Sequence, residues 1–378
     1  MRIQKLIPKT THLALTMAAC LSVLTAIQAT GAADGLLGLD NPNVVAVMAV
    51  QKSVTPGLMN LEGVLGTAVG LEDSGKAVLV VYVDADAPTR GEIIAGLPPK
   101  IRSTGVKVEL TDKFVALAGR PGGGGSGGVD HKAKQTAPIQ LGASGGWGND
   151  LANGFCCGGT LGSLIQVNGF QYILSNYHVF EADIVLGGNG LVATTGDSVI
   201  QPGLIDVGCN ANAAQNVATL VKLSSLPNNS NVDCSVAQVV PGMVRSDGSI
   251  LAIGTLSSQT VGAFINQAVK KSGRTTGLTT SKVSGLNATI SVTYENECAG
   301  GTAFTKTFTG QIVIANKGSK FLAGGDSGSL MVQNVSTNPR AVGLLYAGSS
   351  TSAIANPIDQ VLTFVGSKLG GTATMVGN

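Results

Sequence analysis

The stretch "FLAGGDSGSL", residues 321–330, places Ser327 directly after an aspartate and within a run of glycines. Glycine, aspartate and serine are common in ordinary turns, so the stretch alone does not distinguish a nucleophile from a turn. A serine becomes reactive when a neighbouring base accepts its proton and a third group orients that base. Glycine also lets the N–H groups of Gly325 and Ser327 face an oxyanion. The rest of the chain must therefore supply a histidine and a carboxylate.

Histidine is the most restrictive residue type, since the chain has only three. His12 lies in an apolar leader, and His131 follows a glycine-rich run, where we expect it to face solvent. His178 lies in "QYILSNYHVFEA", residues 171–182, at the end of an apolar strand pattern. A lone histidine at a strand end is more often structural, but His178 is the candidate general base.

Asp233 is the candidate carboxylate. It lies in "NNSNVDCSVAQVV", residues 228–240, between Val232 and Cys234. A carboxylate in apolar surroundings needs a donor, and an imidazole N–H would serve. The alternative is an aspartate that completes a turn at the start of a strand.

The composition favours many short strands over long helices. The 378 residues are 44% apolar, 12% charged and 4% aromatic, with 53 glycines. This composition and the turn clusters between strand-like runs predict a mainly β protein with an all-β barrel or sandwich. The formal net charge is +2, without a basic patch, so nucleic-acid binding is not expected.

The sequence divides into four parts. Residues 1–33, with three basic residues before an apolar core, are typical of a secretory signal; a membrane anchor or a lipoprotein signal at Cys20 is less favoured. Residues 34–119 predict a small α+β pro-region or accessory domain. Residues 120–136 begin with a Gly/Ser run and are interpreted as a linker. Residues 137–378 predict the β domain and a helix in "NPIDQVLTFVGSKL", capped by Asn356.

Five cysteines follow the leader, so at most two disulfides form within the chain and one thiol is left over. Adjacent Cys156 and Cys157 would point to different sides of a strand and are expected to have different partners. An exported chain could oxidise them. In "KKSGRTTG", residues 270–277, Lys271 and Arg274 could bind a phosphate, but a turn beside a strand is favoured.

Several stretches together resemble the chymotrypsin/trypsin-like serine proteases, and most closely a divergent branch of bacterial and plant trypsin-like proteins. The order of the candidates is His178, Asp233, Ser327, which is one of several orders that serine hydrolases use. The resemblance covers about residues 137–368. Its stretches are "CGGTLGSLI" (157–165), "ILSNYHV" (173–179), "VDCSVAQV" (232–239), "GGDSGSL" (324–330), "VGLLYAGSS" (342–350) and "ANPI" (355–358).

The resemblance implies a double six-stranded antiparallel β-barrel with a C-terminal helix and a secreted or periplasmic serine endopeptidase. It makes His178 the general base, Asp233 its orienting group and Ser327 the nucleophile, with Gly325 and Ser327 as the oxyanion hole. It also implies a substrate site formed by Phe321, Tyr346, Ala347 and Gly348, with an apolar specificity pocket.

The chain departs from the family pattern in several places. No cysteine lies directly after His178, and Ser327 is followed by Gly328 and Ser329 rather than by two glycines. No Ile-Val-Gly-Gly type N-terminus follows the linker, so activation by a new N-terminus is not expected. A catalytically silent binding protein with the same fold is the alternative.

We expect a protein or peptide substrate, no metal or cofactor and no stable membrane anchor. Residues 34–119 are a candidate autoinhibitory segment.

Overall fold

A computed structural model describes residues 35–116, 129–152, 155–181, 192–226, 230–294 and 303–378. Leu36–Asn378 form one compact unit. Within these ranges, no helix has the length and apolar character needed to cross a membrane. The predicted signal peptide and the Gly/Ser run of the linker lie outside the described residues.

The N-terminal region, residues 36–116, combines helices and strands, as the alternation of its sequence predicts. Its first helix begins after Asn41, whose side chain accepts a hydrogen bond from the N–H of Asn43, and Pro42 suits the first turn. The elements are α1 (Pro42–Leu58), β1 (Val64–Leu71), β2 (Ala77–Asp84), α2 (Arg90–Gly96), β3 (Lys100–Ile101), β4 (Thr104–Thr111) and β5 (Phe114–Ala116).

The first barrel is antiparallel and closes through six strands. Strands β9 and β10 are one strand interrupted at Gly162, so the pairing β6–β9/β10–β11–β14–β13–β12–β6 returns to its start. Its elements are β6 (Ala143–Trp147), β7 (Leu151–Ala152), β8 (Phe155–Cys156), β9 (Gly159–Leu161), β10 (Ser163–Val167), β11 (Phe170–Ser175), α3 (Tyr177–Phe180), β12 (Ser198–Gln201), β13 (Gln215–Val221) and β14 (Ser235–Val239).

The second barrel also has six antiparallel strands. The order β15–β18–β19–β20–β17–β16 closes because β15 also pairs with β16. Its elements and those that follow are β15 (Ala268–Gly273), β16 (Gly277–Tyr294), β17 (Phe304–Ala315), β18 (Leu330–Gln333), β19 (Ala341–Gly348), β20 (Ser352–Pro357), α4 (Ile358–Leu369) and β21 (Thr374–Met375). The predicted double six-stranded barrel with a C-terminal helix is confirmed.

The N-terminal region shares its sheet with the second barrel. Strand β16 is 18 residues long, and its C-terminal half pairs antiparallel with β1, which continues the sheet through β2, β4 and β3. Strand β5 lies between β16, to which it is parallel, and β19, to which it is antiparallel. One apolar core accordingly includes Val44 of α1, Val81 of β2 and Leu345 of β19.

The C-terminal helix begins differently from the prediction. Pro357 occupies its N-cap position without a side-chain hydrogen bond, so the prediction that Asn356 caps the helix is wrong. The Asn356 side chain instead accepts from the N–H of Asp233 at 2.9 Å and donates to Gln311 at 2.6 Å. These contacts replace the cap because both partners are buried.

The cysteines agree with the sequence prediction. Cys156 is bonded to Cys209, and Cys157 is also disulfide-bonded, so the adjacent pair has different partners. Cys234 is a buried free thiol, and its burial raises its pKa.

Candidate active site

His178 and Asp233 come from different elements of the first barrel. His178 lies on α3, the single turn that follows β11, and Asp233 lies two residues before β14, which pairs with β11. Their side chains meet with His178 Nδ1 2.7 Å from Asp233 Oδ2. Because a carboxylate accepts, Nδ1 is the donor in this contact, and in a neutral imidazole Nε2 is then the acceptor. That Nε2 is buried and has no hydrogen-bond partner among the described residues.

The Asp233 carboxylate is fully buried and held by several donors. Its Oδ1 accepts from the N–H of Tyr177 at 2.7 Å, and its Oδ2 accepts from the hydroxyl of Tyr294 at 2.9 Å as well as from His178. The Asp233 main chain is fixed on both sides, because its N–H donates to Asn356 and its carbonyl accepts from Asn176 at 2.7 Å. Each donor stabilises the ionised carboxylate, so the burial of Asp233 is compensated.

Ser327 lies on the tight turn before β18 in the second barrel. Gly325 and Gly328 flank the turn with φ of 90° and 91°, values that favour glycine. Thr160 of the first barrel contacts this turn twice: its N–H donates to the Ser327 carbonyl at 2.9 Å and its hydroxyl to the Gly325 carbonyl at 2.9 Å. The Ser327 hydroxyl donates to the Tyr346 carbonyl at 3.3 Å. The first barrel therefore fixes the position of this serine.

The main chain around Ser327 orients two N–H groups. The Gly324 carbonyl accepts from the Thr275 hydroxyl at 2.5 Å, and the Asp326 carbonyl accepts from the N–H of Ser329 at 3.0 Å. In a trans peptide the N–H points opposite to the preceding carbonyl, so the Gly325 and Ser327 N–H groups point away from these partners. The Gly325 N–H donates no hydrogen bond to any residue in the described part of the chain.

A buried ion pair lies directly beside the candidate nucleophile. Asp326 Oδ2 is 3.1 Å from Lys271 Nζ, and both side chains are fully buried. The same carboxylate accepts from the N–H groups of Thr275 (2.8 Å), Thr276 (3.1 Å) and Ala323 (3.0 Å). Burial lowers the pKa of Lys271, and the Asp326 charge opposes that shift. Lys271 lies on the neighbouring strand β15, so the ion pair anchors the turn of residues 323–328 to that strand.

The other cation of "KKSGRTTG" is also paired. Arg274 is 1% exposed and forms a fork with Asp206, from Nε to Oδ2 and from Nη2 to Oδ1, both at 2.6 Å. Because both cations contact carboxylates inside the protein, the strand-and-turn reading of this stretch is confirmed. Sequence reasoning did not identify Asp206 or Asp326 as their partners.

His131 is not solvated, contrary to the prediction. It is 7% exposed, with Nδ1 2.9 Å from the Val129 carbonyl and Nε2 2.9 Å from the Ser272 hydroxyl. Burial lowers its pKa, and the nearby Lys271 charge acts in the same direction. The prediction failed because the segment after the glycine run packs against the strand that carries Lys271.

The residues predicted to bind substrate are all buried. Phe321 packs in the core shared by the second barrel and the N-terminal region, with its N–H bonded to Asn316. Tyr346, Ala347 and Gly348 belong to β19, where β5 pairs with Ala347 and Gly348. Their roles in substrate binding stay predictions. No group of His, Cys, Asp and Glu within the described ranges could hold a metal ion.

Sequence reasoning missed three groups around the site. Tyr294 and Thr160 were not singled out, and Asn356 was predicted to cap a helix. Their contacts join residues 61, 123 and 165 positions apart in the sequence. Only Thr160 had a local signal, because it lies in one of the stretches that resemble the protease family, residues 157–165.

Two closed six-stranded antiparallel barrels, with His178 and Asp233 on the first and Ser327 at the start of a strand of the second, define the chymotrypsin/trypsin-like serine protease fold. The resemblance seen in the sequence thus holds at the level of the fold.

Comparisons with known proteins give the following matches. A family model described as the Nal1 C-terminal domain matches residues 206–356. No curated protein matches the sequence.

Among solved structures, a glutamic acid specific serine protease with a histidine triad in substrate binding is 17% identical, with a TM-score of 0.40, over 63% of this chain and 100% of its own. Thermobifida fusca protease A is 16% identical, with a TM-score of 0.39, over 64% of this chain and 99% of its own. A Cellulomonas bogoriensis chymotrypsin is 19% identical, with a TM-score of 0.38, over 64% of this chain and 99% of its own. The strand pairing of the chain itself carries the fold assignment.

Proposed function

We propose that the protein is a serine endopeptidase with Ser327 as nucleophile, His178 as general base and Asp233 as the group that orients the base. The observation that carries this proposal is the 2.7 Å contact from His178 Nδ1 to the buried Asp233 carboxylate, with no hydrogen bond to Nε2 from any described residue. A histidine oriented in this way is ready to accept a serine proton.

In the first half of the reaction, the Ser327 hydroxyl gives its proton to His178 Nε2 while Oγ bonds to the substrate carbonyl carbon. The carbonyl oxygen becomes an oxyanion, for which the N–H groups of Gly325 and Ser327 are the proposed donors. The Asp233 carboxylate stabilises the imidazolium that forms. Protonated His178 then donates to the leaving amine, and the C–N bond breaks to give an acyl-enzyme.

In the second half, water replaces the amine. His178 takes a proton from the water, whose oxygen attacks the ester carbon, and the same histidine returns the proton to Ser327 Oγ as the C–O bond breaks. Every proton taken up is released within the cycle, so His178 and Ser327 regain their starting states.

The Lys271–Asp326 pair supports a turn that is formed without a processed N-terminus. Asp326 already has a buried cationic partner from within the chain, 3.1 Å away. A new α-amino group is then not needed to hold the residue before Ser327. This agrees with the absence of an Ile-Val-Gly-Gly type N-terminus after the linker.

We further propose that the N-terminal region restrains the enzyme. Strand β5 pairs antiparallel with β19 at Ala347 and Gly348, the residues predicted to receive the substrate main chain. A peptide in extended form would need the same strand edge.

Cys156 and Cys157 are both disulfide-bonded, which fits an oxidising compartment and agrees with an exported protein.

A fluorophosphonate probe tests the nucleophile. We expect the folded full-length chain to be labelled at Ser327, the Ser327→Ala variant to show no label, and the matched Ser291→Ala variant to be labelled like the wild type. Labelling of the Ser327→Ala protein would place the reactive nucleophile elsewhere, and no labelling of a folded wild type would favour the silent binding protein instead.

A single substitution in β5 tests the restraint. Val115→Pro removes a main-chain N–H and disfavours pairing on both sides of β5, so hydrolysis of a fluorogenic peptide should rise at least several-fold relative to hydrolysis of a small ester. Val115→Thr keeps the strand pairing and should behave like the wild type. An equal ratio of peptide hydrolysis to ester hydrolysis in the proline and threonine variants would contradict the restraint.

A further inference from the structure

Tyr294 makes a contact that the chemistry above does not use. It is the last residue of β16 in the second barrel, yet its hydroxyl donates to Asp233 Oδ2 of the first barrel at 2.9 Å. The same oxygen accepts from His178 Nδ1. Tyr294 is thus the side chain of the second barrel that contacts the proposed orienting carboxylate directly.

The ring of Tyr294 is held on several sides. It stacks on Phe304 with centroids 5.0 Å apart and planes 9° apart, and it meets the His178 ring edge-on at 6.0 Å. Tyr294 is 2% exposed. Burial, reinforced by the Asp233 charge, raises its pKa well above the ordinary value, so the hydroxyl keeps its proton and remains a donor.

The strand that carries Tyr294 is paired at its end with the N-terminal region. Val292 pairs with Phe114 and Thr293 with Val115, in a parallel ladder. On its other side, β16 pairs with β17 from Thr293 and Tyr294 to Thr305 and Phe304. Strand β5 therefore supports one edge of the two residues that immediately precede Tyr294.

We propose that Tyr294 is a positioning residue whose hydroxyl holds the Asp233 carboxylate against His178, and that strand β5 holds Tyr294 in place. This inference rests on the proposed serine peptidase function. It gives the N-terminal region two opposite effects at one site: β5 covers the substrate strand β19 and at the same time supports the catalytic carboxylate.

The geometry explains why the hydroxyl matters. Asp233 Oδ1 is fixed by the N–H of Tyr177, so the carboxylate can pivot about that bond unless Oδ2 is also fixed. With Tyr294 and His178 on the same oxygen, the carboxylate plane and the imidazole plane are set together. Loss of the hydroxyl leaves the imidazole as the sole side-chain donor to Oδ2 among the described residues.

The first experiment uses the full-length chain and a small ester, p-nitrophenyl acetate, which acylates Ser327 without needing β19. In Tyr294→Phe, kcat should fall roughly tenfold while KM stays within about twofold. The lost hydrogen bond holds the catalytic carboxylate and does not contact the bound ester, so the chemical step is affected more than binding. The downfield NMR signal of the His178 Nδ1 proton should shift and exchange faster with water.

The matched control is Tyr82→Phe, which removes the hydroxyl of another buried tyrosine, on β2, whose ring packs on Phe114 at 5.7 Å. It should keep kcat and the His178 signal. An unchanged kcat and signal in a folded Tyr294→Phe protein, or an equal loss in Tyr82→Phe, would overturn the inference. A wild type that does not hydrolyse the ester, but whose His178 signal still shifts in Tyr294→Phe, would sink the proposed function and keep the positioning.

The second experiment tests the role of β5. Val115→Pro should lower ester kcat about as much as Tyr294→Phe and should move the His178 signal in the same direction, although it raises the ratio of peptide to ester hydrolysis above that of the wild type. Combining Val115→Pro with Tyr294→Phe should add little to the loss in ester kcat. Full additivity of the two losses would show that β5 does not act through Tyr294.

Discussion

Two buried aspartates lie at the junction of the barrels, and their partners differ. Asp233 is held by a main-chain N–H, a tyrosine hydroxyl and a histidine, whereas Asp326 faces the buried lysine Lys271. A neutral histidine beside a carboxylate can gain a proton during a reaction, and the carboxylate stabilises the resulting charge. A lysine that stays paired gives only position. The surroundings of Asp233, here called the Asp233 pocket, suit proton transfer. The surroundings of Asp326, the Asp326 pocket, suit a rigid turn.

The largest effect is expected in the Asp233 pocket. Asp233→Asn should lower kcat by roughly 10,000-fold, because an amide no longer fixes the tautomer in which His178 Nε2 is an acceptor. Steady-state kinetics on the ester and on a peptide will measure it. Asp359→Asn, which changes an exposed aspartate bonded to Thr260, should leave kcat unaltered. A loss smaller than tenfold would show that Asp233 is not the orienting group.

The Asp326 pocket should respond in stability instead. Lys271→Met leaves a buried carboxylate without its cation, and the free energy of unfolding should fall by about 3–5 kcal/mol. Denaturant unfolding followed by fluorescence or circular dichroism will measure this fall. Lys271→Met combined with Asp326→Asn should recover most of it. If the single variant is as stable as the double variant, the pair does not hold the turn.

Asn356 offers a smaller test within the Asp233 pocket. Asn356→Leu leaves the buried N–H of Asp233 and the side chain of Gln311 without this partner, so the free energy of unfolding should fall by about 1–3 kcal/mol. Ester kcat should also fall, while hydrogen exchange in the first turn of α4 should not change. Faster exchange there with normal kcat would instead indicate the helix cap that the sequence suggested.

The smallest effect is a pH dependence of stability near the Asp326 pocket. Burial holds the pKa of His131 below its unfolded value, so between the two values the unfolded chain binds a proton that the folded chain does not. Stability should therefore fall as pH drops below about 6.5, by no more than about 1.4 kcal/mol per pH unit. The charged groups that face His131 are Lys271, Asp326 and Asp130.

Unfolding free energies measured between pH 7.5 and pH 5 will check this slope. His131→Gln cannot take up the proton and should flatten it. An equal slope in both proteins would assign the pH dependence to other groups.

Prediction succeeded where a local pattern carries the information. Alternating β-branched residues indicated the strands, and the order of His178, Asp233 and Ser327 in recognisable stretches indicated the barrel fold. The structure brings His178 and Asp233 into contact because they flank β11 and β14, which are neighbours in the sheet. The roles of the site residues stay predictions for the experiments above.

Prediction failed where the local sequence is equally compatible with two interpretations. Asn before Pro at the start of a helix pattern is a reasonable cap, and a histidine after a glycine run is reasonably solvated. In the structure, Asn356 binds Asp233 and Gln311, and His131 contacts Ser272, 141 residues away. Contacts at such separations leave no periodic signal in one sequence.

The sequence by itself determined which residue types were available: few histidines, a serine in a glycine turn, and strands whose period of two buries one face. The tertiary structure alone decided their partners. The contacts of Lys271 with Asp326, of Tyr294 with Asp233 and of β5 with β19 join segments that are far apart in the sequence. The physical reason is that a buried charge or strand edge must find a partner, and only the packed fold decides which one lies within reach.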